Sequence, residues 1–404
     1  MSAPTEAVRR ALPTSRRPRP RPRPRGAPPP RADLPRRIVR ALRHAAPALY
    51  GYACVRLFCL LAVSLWAHRE GQGLWPILAN SWDSSWYLGI AENGYARELG
   101  TAYDTNNLAF FPLYPLAVRA LSWALPGSSA SVGLLVAVVG SFFAAWGIFA
   151  VGARLHGRRV GVCLALLWGG LPVGLVQWMG YTESLFTAFA AWSLYACLTG
   201  RWVWAGTLAS LAGLTRPTGL ALAAAVSLGA LSALRRGFSW RALVGGFLAP
   251  LGWLSYVGWV GLRLGRWDGY FAVQKLWHNH VDGGAYTLRR LDDHFLDDST
   301  PELFLILVSL VLIASAILFV RSVLDRQPLV LLAFTGLLLA IVLGSGGVYF
   351  SRARFLLPGF PLLLPLALLL ARASLRHAVA WVGGVVLVAA YCGGYMVLVW
   401  RSAP

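Results

Sequence analysis

Ser81-Trp82-Asp83-Ser84-Ser85-Trp86-Tyr87-Leu88-Gly89-Ile90-Ala91-Glu92-Asn93-Gly94-Tyr95 lies between the first two strongly apolar spans of a 404-residue chain, and Phe110-Phe111-Pro112-Leu113-Tyr114-Pro115 follows it. The first stretch sets Trp82, Trp86, Leu88 and Ile90 against polar neighbours. That is the pattern of an amphipathic helix lying in a membrane interface, its tryptophans at headgroup depth. It also carries carboxylates in a chain with only 16 acidic residues. The fold to expect is therefore a bundle of membrane-crossing helices, with its chemistry at the membrane surface.

Composition points the same way. Hydrophobic residues make up 57% of the chain, charged residues 13%, and the mean hydropathy is +0.58. Apolar runs long enough to cross a ~30 Å hydrocarbon core recur along the sequence. The roughly ten-residue alternation of a membrane β-barrel is missing, so the class is an all-α polytopic membrane protein. Cys54, Cys59, Cys163, Cys197 and Cys392 all fall inside apolar spans without metal-ligand or disulfide-framework spacing, and read as packing residues.

The net charge of +21 is not a nucleic-acid signal. Thirteen arginines precede residue 44, several in an Arg-Pro alternation that cannot form a helix or bury a core. Residues 1–43 read as a disordered tail that holds the N-terminus in the cytoplasm and touches anionic lipid. No aromatic residues are interleaved there for nucleic acid. Nor is it a cleavable signal peptide, because the apolar run starts too late and continues too long.

In chain order, the first span runs from about Ala45 to Trp66, and residues 67–128 form a long outer loop. Phe110 to Leu125 is interrupted by Pro112, Pro115 and Arg119, and reads as an interfacial or re-entrant helix. A span over Ser131–Gly152 returns to a basic cytoplasmic loop with Arg154, Arg158 and Arg159. The next reaches the outer side near Gln177, and Tyr181-Thr182-Glu183-Ser184 opens the fourth. Between Trp202 and Leu234 the apolar run breaks at Thr215-Arg216-Pro217-Thr218-Gly219, where two short helices meet. After a span over residues 242–262, a second outer loop, 263–300, holds Asp268, Asp282, Asp292, Asp293, Asp297 and Asp298 with His278, His280 and His294. Four more spans bring the count to about 11. Only Glu6, Asp33 and Asp325 remain as acids on the cytoplasmic side, while Arg216, Arg352 and Arg354 sit at outer helix ends against the topological bias. Such charges suit an anionic lipid headgroup.

Trp82-Asp83, Ile90-Ala91-Glu92-Asn93-Gly94-Tyr95, Ala109-Phe110-Phe111-Pro112-Leu113-Tyr114-Pro115-Leu116, Thr182-Glu183-Ser184-Leu185-Phe186 and Arg216-Pro217-Thr218-Gly219 resemble, in order and spacing, the motif series of the PIG-V mannosyltransferases. These are multi-spanning GT-C glycosyltransferases. Arg352-Ala353-Arg354-Phe355-Leu356-Leu357-Pro358 is similar to the family's late motif, more loosely, and Thr218 departs from its small polar pattern. The resemblance implies that residues 44–404 form a GT-C-like catalytic domain. It implies transfer of a sugar, usually mannose, from a polyprenyl-phosphate donor to a glycolipid or glycan hydroxyl on the extracytoplasmic face of a cell membrane, with inversion. Asp83 takes the place of the family's loop aspartate.

The residues suit that chemistry in their own right. An acceptor hydroxyl loses a proton as the glycosidic bond forms, and Asp83, flanked by Trp82 and Trp86, can take it as general base. The departing phosphate needs cationic donors, for which Arg216, Arg352 and Arg354 are the set. Glu92 and Glu183 can position sugar hydroxyls, and Tyr87, Tyr95 and Tyr114 can stack on the ring. The bland counterparts are an N-cap role for Asp83, a solvated Glu92, and a helix-dipole role for Glu183. No metal ligands are assigned: His278-Asn279-His280 spacing is loose and suits a solvated loop, although a divalent cation on the donor phosphate fits the superfamily. Two other classes stay open. In a transporter or flippase, the break at Arg216 would line a substrate path, but the chain lacks paired interrupted repeats. A non-catalytic partner subunit would not need Asp83.

Overall fold

The computed structural model describes residues 33–100, 106–296, 302–400 and 402–403. The tail expected over residues 1–43 lies outside these up to residue 32, as do Asp297 and Asp298 of the second loop. The chain divides into two units, 1–44 and 45–404, and the second holds the cavity and its walls.

About 78% of the described residues are helical. Among the described residues six helices are long and apolar enough to cross a membrane: Ile38–Arg69, Ser129–His156, Gly219–Arg236, Trp240–Arg263, Leu303–Leu324 and Leu375–Val399. Their outward faces carry large apolar side chains such as Leu57, Leu61, Ile317, Leu324, Trp381 and Leu387, which are exposed. Contiguous exposed apolar faces on helices of this length belong against lipid. The chain is a multi-pass helical membrane protein.

The remaining apolar runs are shorter, and their breaks matter most for function. Arg158–Gly169 and Glu183–Leu198 are separated by a 3-10 turn, Gly174–Trp178. Trp202–Gly213 and Gly219–Arg236 meet at the break foreseen around Arg216. Pro217 has no N–H to continue the first helix. The chain turns so tightly there that a Cβ on Gly219 would stand 2.6 Å from the Gly213 Cα. A third break, the single turn Arg352–Phe355, lies between Leu329–Leu343 and Leu364–Arg372.

The first long loop folds into short helices, Leu74–Asn80, Asp83–Asn93 and Leu113–Ser122. Asp83–Asn93 ends at Gly94, whose φ of +81° only glycine adopts readily and whose N–H reaches the Ile90 carbonyl at 2.9 Å. Tyr87, Leu88 and Ala91 on its buried face pack against Tyr114, Val118 and Val132. The second long loop contains Gly269–Leu276 and Ala285–Phe295. Between them His280–Val281 forms a two-residue antiparallel ladder with Ser345–Gly346.

The core is built mostly of Ala, Leu, Val and Phe. Its polar centre is closed: the Tyr52 hydroxyl donates to Gln177 Oε1 at 2.9 Å, Gln177 Nε2 to the Trp168 carbonyl at 2.8 Å, and Trp168 Nε1 to the Leu357 carbonyl at 2.9 Å. These bonds satisfy groups that lipid could not, and they fix the Gly174–Trp178 turn on which Glu183 follows.

Candidate active site

The helix Asp83–Asn93 and the breaks at Arg216 and at Arg352–Phe355 line one cavity of about 610 Å³, and the Gly174–Trp178 turn leads to Glu183 behind it. The approach of Asp83 is set by backbone. Gly180 N–H donates to the Leu78 carbonyl at 2.8 Å, and a Cβ on Gly180 would crowd Ser84 Oγ at 3.0 Å. Trp82 enters the helix at φ +52°, ψ −119°, a conformation costly for a bulky side chain. The chain thus bends sharply at the residue before Asp83.

Asp83 is the first helical residue, and its carboxylate is not a cap. Its Oδ2 lies 2.7 Å from Arg354 Nη2, with the aspartate side chain 22% exposed. Arg354 Nη1 lies 3.8 Å from Glu183 Oε1, and Arg216 Nη1 lies 2.5 Å from the same oxygen. Arg216 Nη1 also donates to Thr182 Oγ1 at 3.0 Å, which is 3.1 Å from the Tyr87 hydroxyl. Both guanidinium groups lie over the Phe355 ring, each 5.3 Å from its centroid, and Arg354 also over Tyr181 at 4.9 Å. Two acids and two arginines are joined in one neutral network. Asp83, Arg216 and Arg354 face the cavity, while Glu183 is buried behind the cations.

Burial works against the Arg354 charge, but Asp83 and Glu183 outweigh it and hold its pKa above the ordinary arginine value. Arg354 Nε and Nη1 are buried with no hydrogen-bond acceptor, so the cation has donors left for an oxyanion. Burial pushes the Tyr87 phenol above its ordinary range, so it stays protonated and serves as a neutral hydrogen-bonding group.

Arg352 does not join this network. It lies two residues from Arg354 on a helical turn, and residues so spaced point to opposite sides. Its guanidinium donates to Thr287 Oγ1 and the Ser345 carbonyl and stacks over Tyr286 and Tyr349. Of the other side chains expected at the site, Tyr87 lines the cavity. Trp86 stacks on Phe110 at 5.6 Å, Tyr95 donates to the Phe110 carbonyl at 2.8 Å, and Tyr114 donates to the Gly133 carbonyl at 2.8 Å. Trp82 is half-buried and Glu92 is exposed, both away from the cavity walls. The cavity adds residues that were not anticipated as site residues: Gln274, Trp277, Asn279, Phe355 and Ser351. Phe355 was within reach as the neighbour of Arg354; nothing in the acidic second loop marked Gln274 and Asn279.

The cavity residues do not fit a divalent cation. Asp83 is paired with a guanidinium, Glu183 is behind two, and no three metal-ligating side chains converge among the described residues.

Comparison with known proteins bears on the motif reading. The chain is 37% identical over 162 residues to the GPI alpha-1,6-mannosyltransferase 2 of Mus musculus, covering 37% of this chain and 30% of the relative. It is 36% identical over 151 residues to the Rattus norvegicus protein of the same name, covering 34% and 29%. Over those stretches the chain is similar to the PIG-V mannosyltransferases. It spans about 30% of the length of the curated relatives it matches. No protein-family model matches it. The oligosaccharyltransferase of Archaeoglobus fulgidus is a structural neighbour at TM-score 0.44 and 13% identity, covering 88% of this chain and 56% of that one.

Proposed function

We propose that this PIG-V-like chain is an integral membrane glycosyltransferase. It moves a sugar, mannose by the activity in the relatives' names, from a polyprenyl-phosphate donor to a lipid or glycan hydroxyl on the extracytoplasmic face. In that orientation the N-terminus is cytoplasmic, and about 11 crossings, short ones included, place both long loops outside.

The acceptor oxygen attacks the anomeric carbon while its proton passes to an Asp83 carboxylate oxygen. The bond from the anomeric carbon to the phosphate oxygen breaks, and the polyprenyl phosphate leaves with the electron pair. One displacement inverts the anomeric centre. Arg354 and Arg216 hold the phosphate and offset its growing charge, and Tyr87 and Thr182 keep Arg216 in place. Glu183 acts through the arginines, and Arg352 anchors the second loop.

The observation that carries this reading is the pairing of Asp83 with a buried arginine on a cavity wall, with a second arginine held over the same Phe355 ring. A carboxylate beside two cations supplies a base and a phosphate site together. The test is incubation of purified protein with labelled polyprenyl-phosphate mannose and membrane lipid. A labelled lipid product is expected; release or movement of intact donor without a new glycoside would favour a transporter.

A further inference from the structure

The cavity has a polar wall that the base and the phosphate site leave unused. Gln274, Trp277, His278, Asn279 and His280 of the second long loop form it. The ladder His280–Gly346 and Val281–Ser345 ties this wall to the segment leading to Arg352 and Arg354. Two consecutive glycines make the fit. A Cβ on Gly346 would stand 2.5 Å from the His280 ring, and one on Gly347 2.6 Å from the His278 carbonyl and 2.9 Å from Asn279 Oδ1. Gly347 also sits at φ +101°.

Within the wall, two carboxamides form a one-way relay. Asn279 Nδ2 donates to Gln274 Oε1 at 2.9 Å, and Gln274 Nε2 donates to the buried Tyr270 hydroxyl at 2.9 Å. The Asn279 backbone N–H also donates to the Gln274 carbonyl at 2.9 Å. Turning one amide over alone would set like against like and break the relay, so the two orientations are locked together. Asn279 then keeps one N–H and its Oδ1, a donor and an acceptor side by side. Adjacent hydroxyls of a sugar ring present the complementary pair. The arginines offer donors only and Asp83 is held to Arg354, so neither reads the arrangement of ring hydroxyls.

We propose that Asn279, oriented by Gln274, is a specificity-determining residue that hydrogen-bonds a vicinal pair of hydroxyls on the donor hexose. The proposal rests on the glycosyltransferase reading only for the ligand being a phosphate-linked sugar. A fixed polar group that must be satisfied discriminates between sugars far better than an apolar wall.

The test is equilibrium binding to the purified full-length protein of three probes: bare polyprenyl phosphate, polyprenyl-phosphate mannose and polyprenyl-phosphate glucose. The unaltered protein is expected to bind one sugar-bearing carrier more tightly than the other and than the bare one. Asn279→Ala loses about tenfold in affinity for the preferred sugar carrier and less than about twofold for the bare phosphate. Gln274→Leu, which keeps Asn279 but frees its amide, narrows the preference between the two sugars. Equal losses for bare and sugar-bearing carriers in Asn279→Ala overturn the proposal, as does an unaltered protein that binds all three alike. Transfer is scored separately. Sugar-dependent binding that survives without any transfer upholds the subsite and removes the transferase reading.

Discussion

Arg354 Nη2 sits 2.7 Å from Asp83 Oδ2, so the proposed base and the proposed phosphate cation are each other's partners in the resting site. A carboxylate held by a guanidinium is a poor base, and a guanidinium held by a carboxylate is a poor phosphate receptor. An arriving donor phosphate competes for Arg354 and loosens Asp83, so donor binding itself prepares the base. Asp83→Asn is therefore expected to bind bare polyprenyl phosphate a few-fold more tightly than the unaltered protein, on the order of 1 kcal/mol for a partly exposed pair. Titration of both proteins with the same carrier checks it; weaker binding by the variant would contradict the competition.

Glu183 and Arg216 are both buried and 2.5 Å apart. Removing one partner strands a charge, so Arg216→Ala is expected to destabilise the protein by about 3–5 kcal/mol. Glu183→Gln added to it should restore part of that loss, because the stranded charge is then neutral. Thermal unfolding of the two single variants and the double variant in detergent measures the coupling. Strictly additive losses would show that the pair does not act as a unit.

Much of this is legible in the sequence. The break at Arg216 needed only Pro217 in an apolar run too long for one crossing, and the helix after Asp83 needed only the spacing of its apolar residues. The Glu183 helix start followed from a polar cluster opening an apolar run. What could not be read was direction. Arg352 and Arg354 look alike in sequence, and only the one-turn helix Arg352–Phe355 sends one to Asp83 and the other to Thr287. Tyr95 and Tyr114 looked like stacking platforms, but their rings pack against Tyr256 and Trp259 and against Tyr87, respectively, and neither lines the cavity. Glu183 looked like a group for sugar hydroxyls; two arginines that come from breaks later in the chain cover it. Gln274 and Asn279 gained meaning only through the pairing of His280 with Gly346, 66 residues apart.

His294 bears on pH dependence. Its Nδ1 is 3.0 Å from Ser309 Oγ, which is 2.8 Å from the Tyr349 hydroxyl and donates to the Leu305 carbonyl at 2.9 Å. Burial, with Arg290 adding to it and Asp293 opposing, holds the His294 pKa below its ordinary value of 6.5. The folded state thus takes up this proton less readily than the unfolded chain. Its contribution is intact above the unfolded value and is lost as pH falls below about 6.5 toward the depressed folded value. Unfolding temperature measured from pH 8 to pH 5 should fall in that window, and His294→Gln should flatten the fall. An unchanged slope would assign it to other groups.

The helices Trp202–Gly213 and Trp240–Arg263 touch through small residues, as membrane helices do when backbones approach closely. A Cβ on Gly252 would run into the Ser210 backbone carbonyl, whereas one on Gly258 of the same helix meets nothing within 4 Å. Gly252→Val is expected to cost about 1–3 kcal/mol and to lower the yield of monodisperse protein. Gly258→Ala should leave both unchanged. Equal behaviour of the two variants would contradict the packing.

The central claim is that Asp83 takes the acceptor proton. Purified protein and its Asp83→Asn variant, matched for folded yield, are given labelled polyprenyl-phosphate mannose and the same lipid extract. The account predicts a labelled glycolipid from the unaltered protein and a rate at least about 100-fold lower from the variant, although the variant still binds the carrier. Transfer by the variant at the unaltered rate would contradict it.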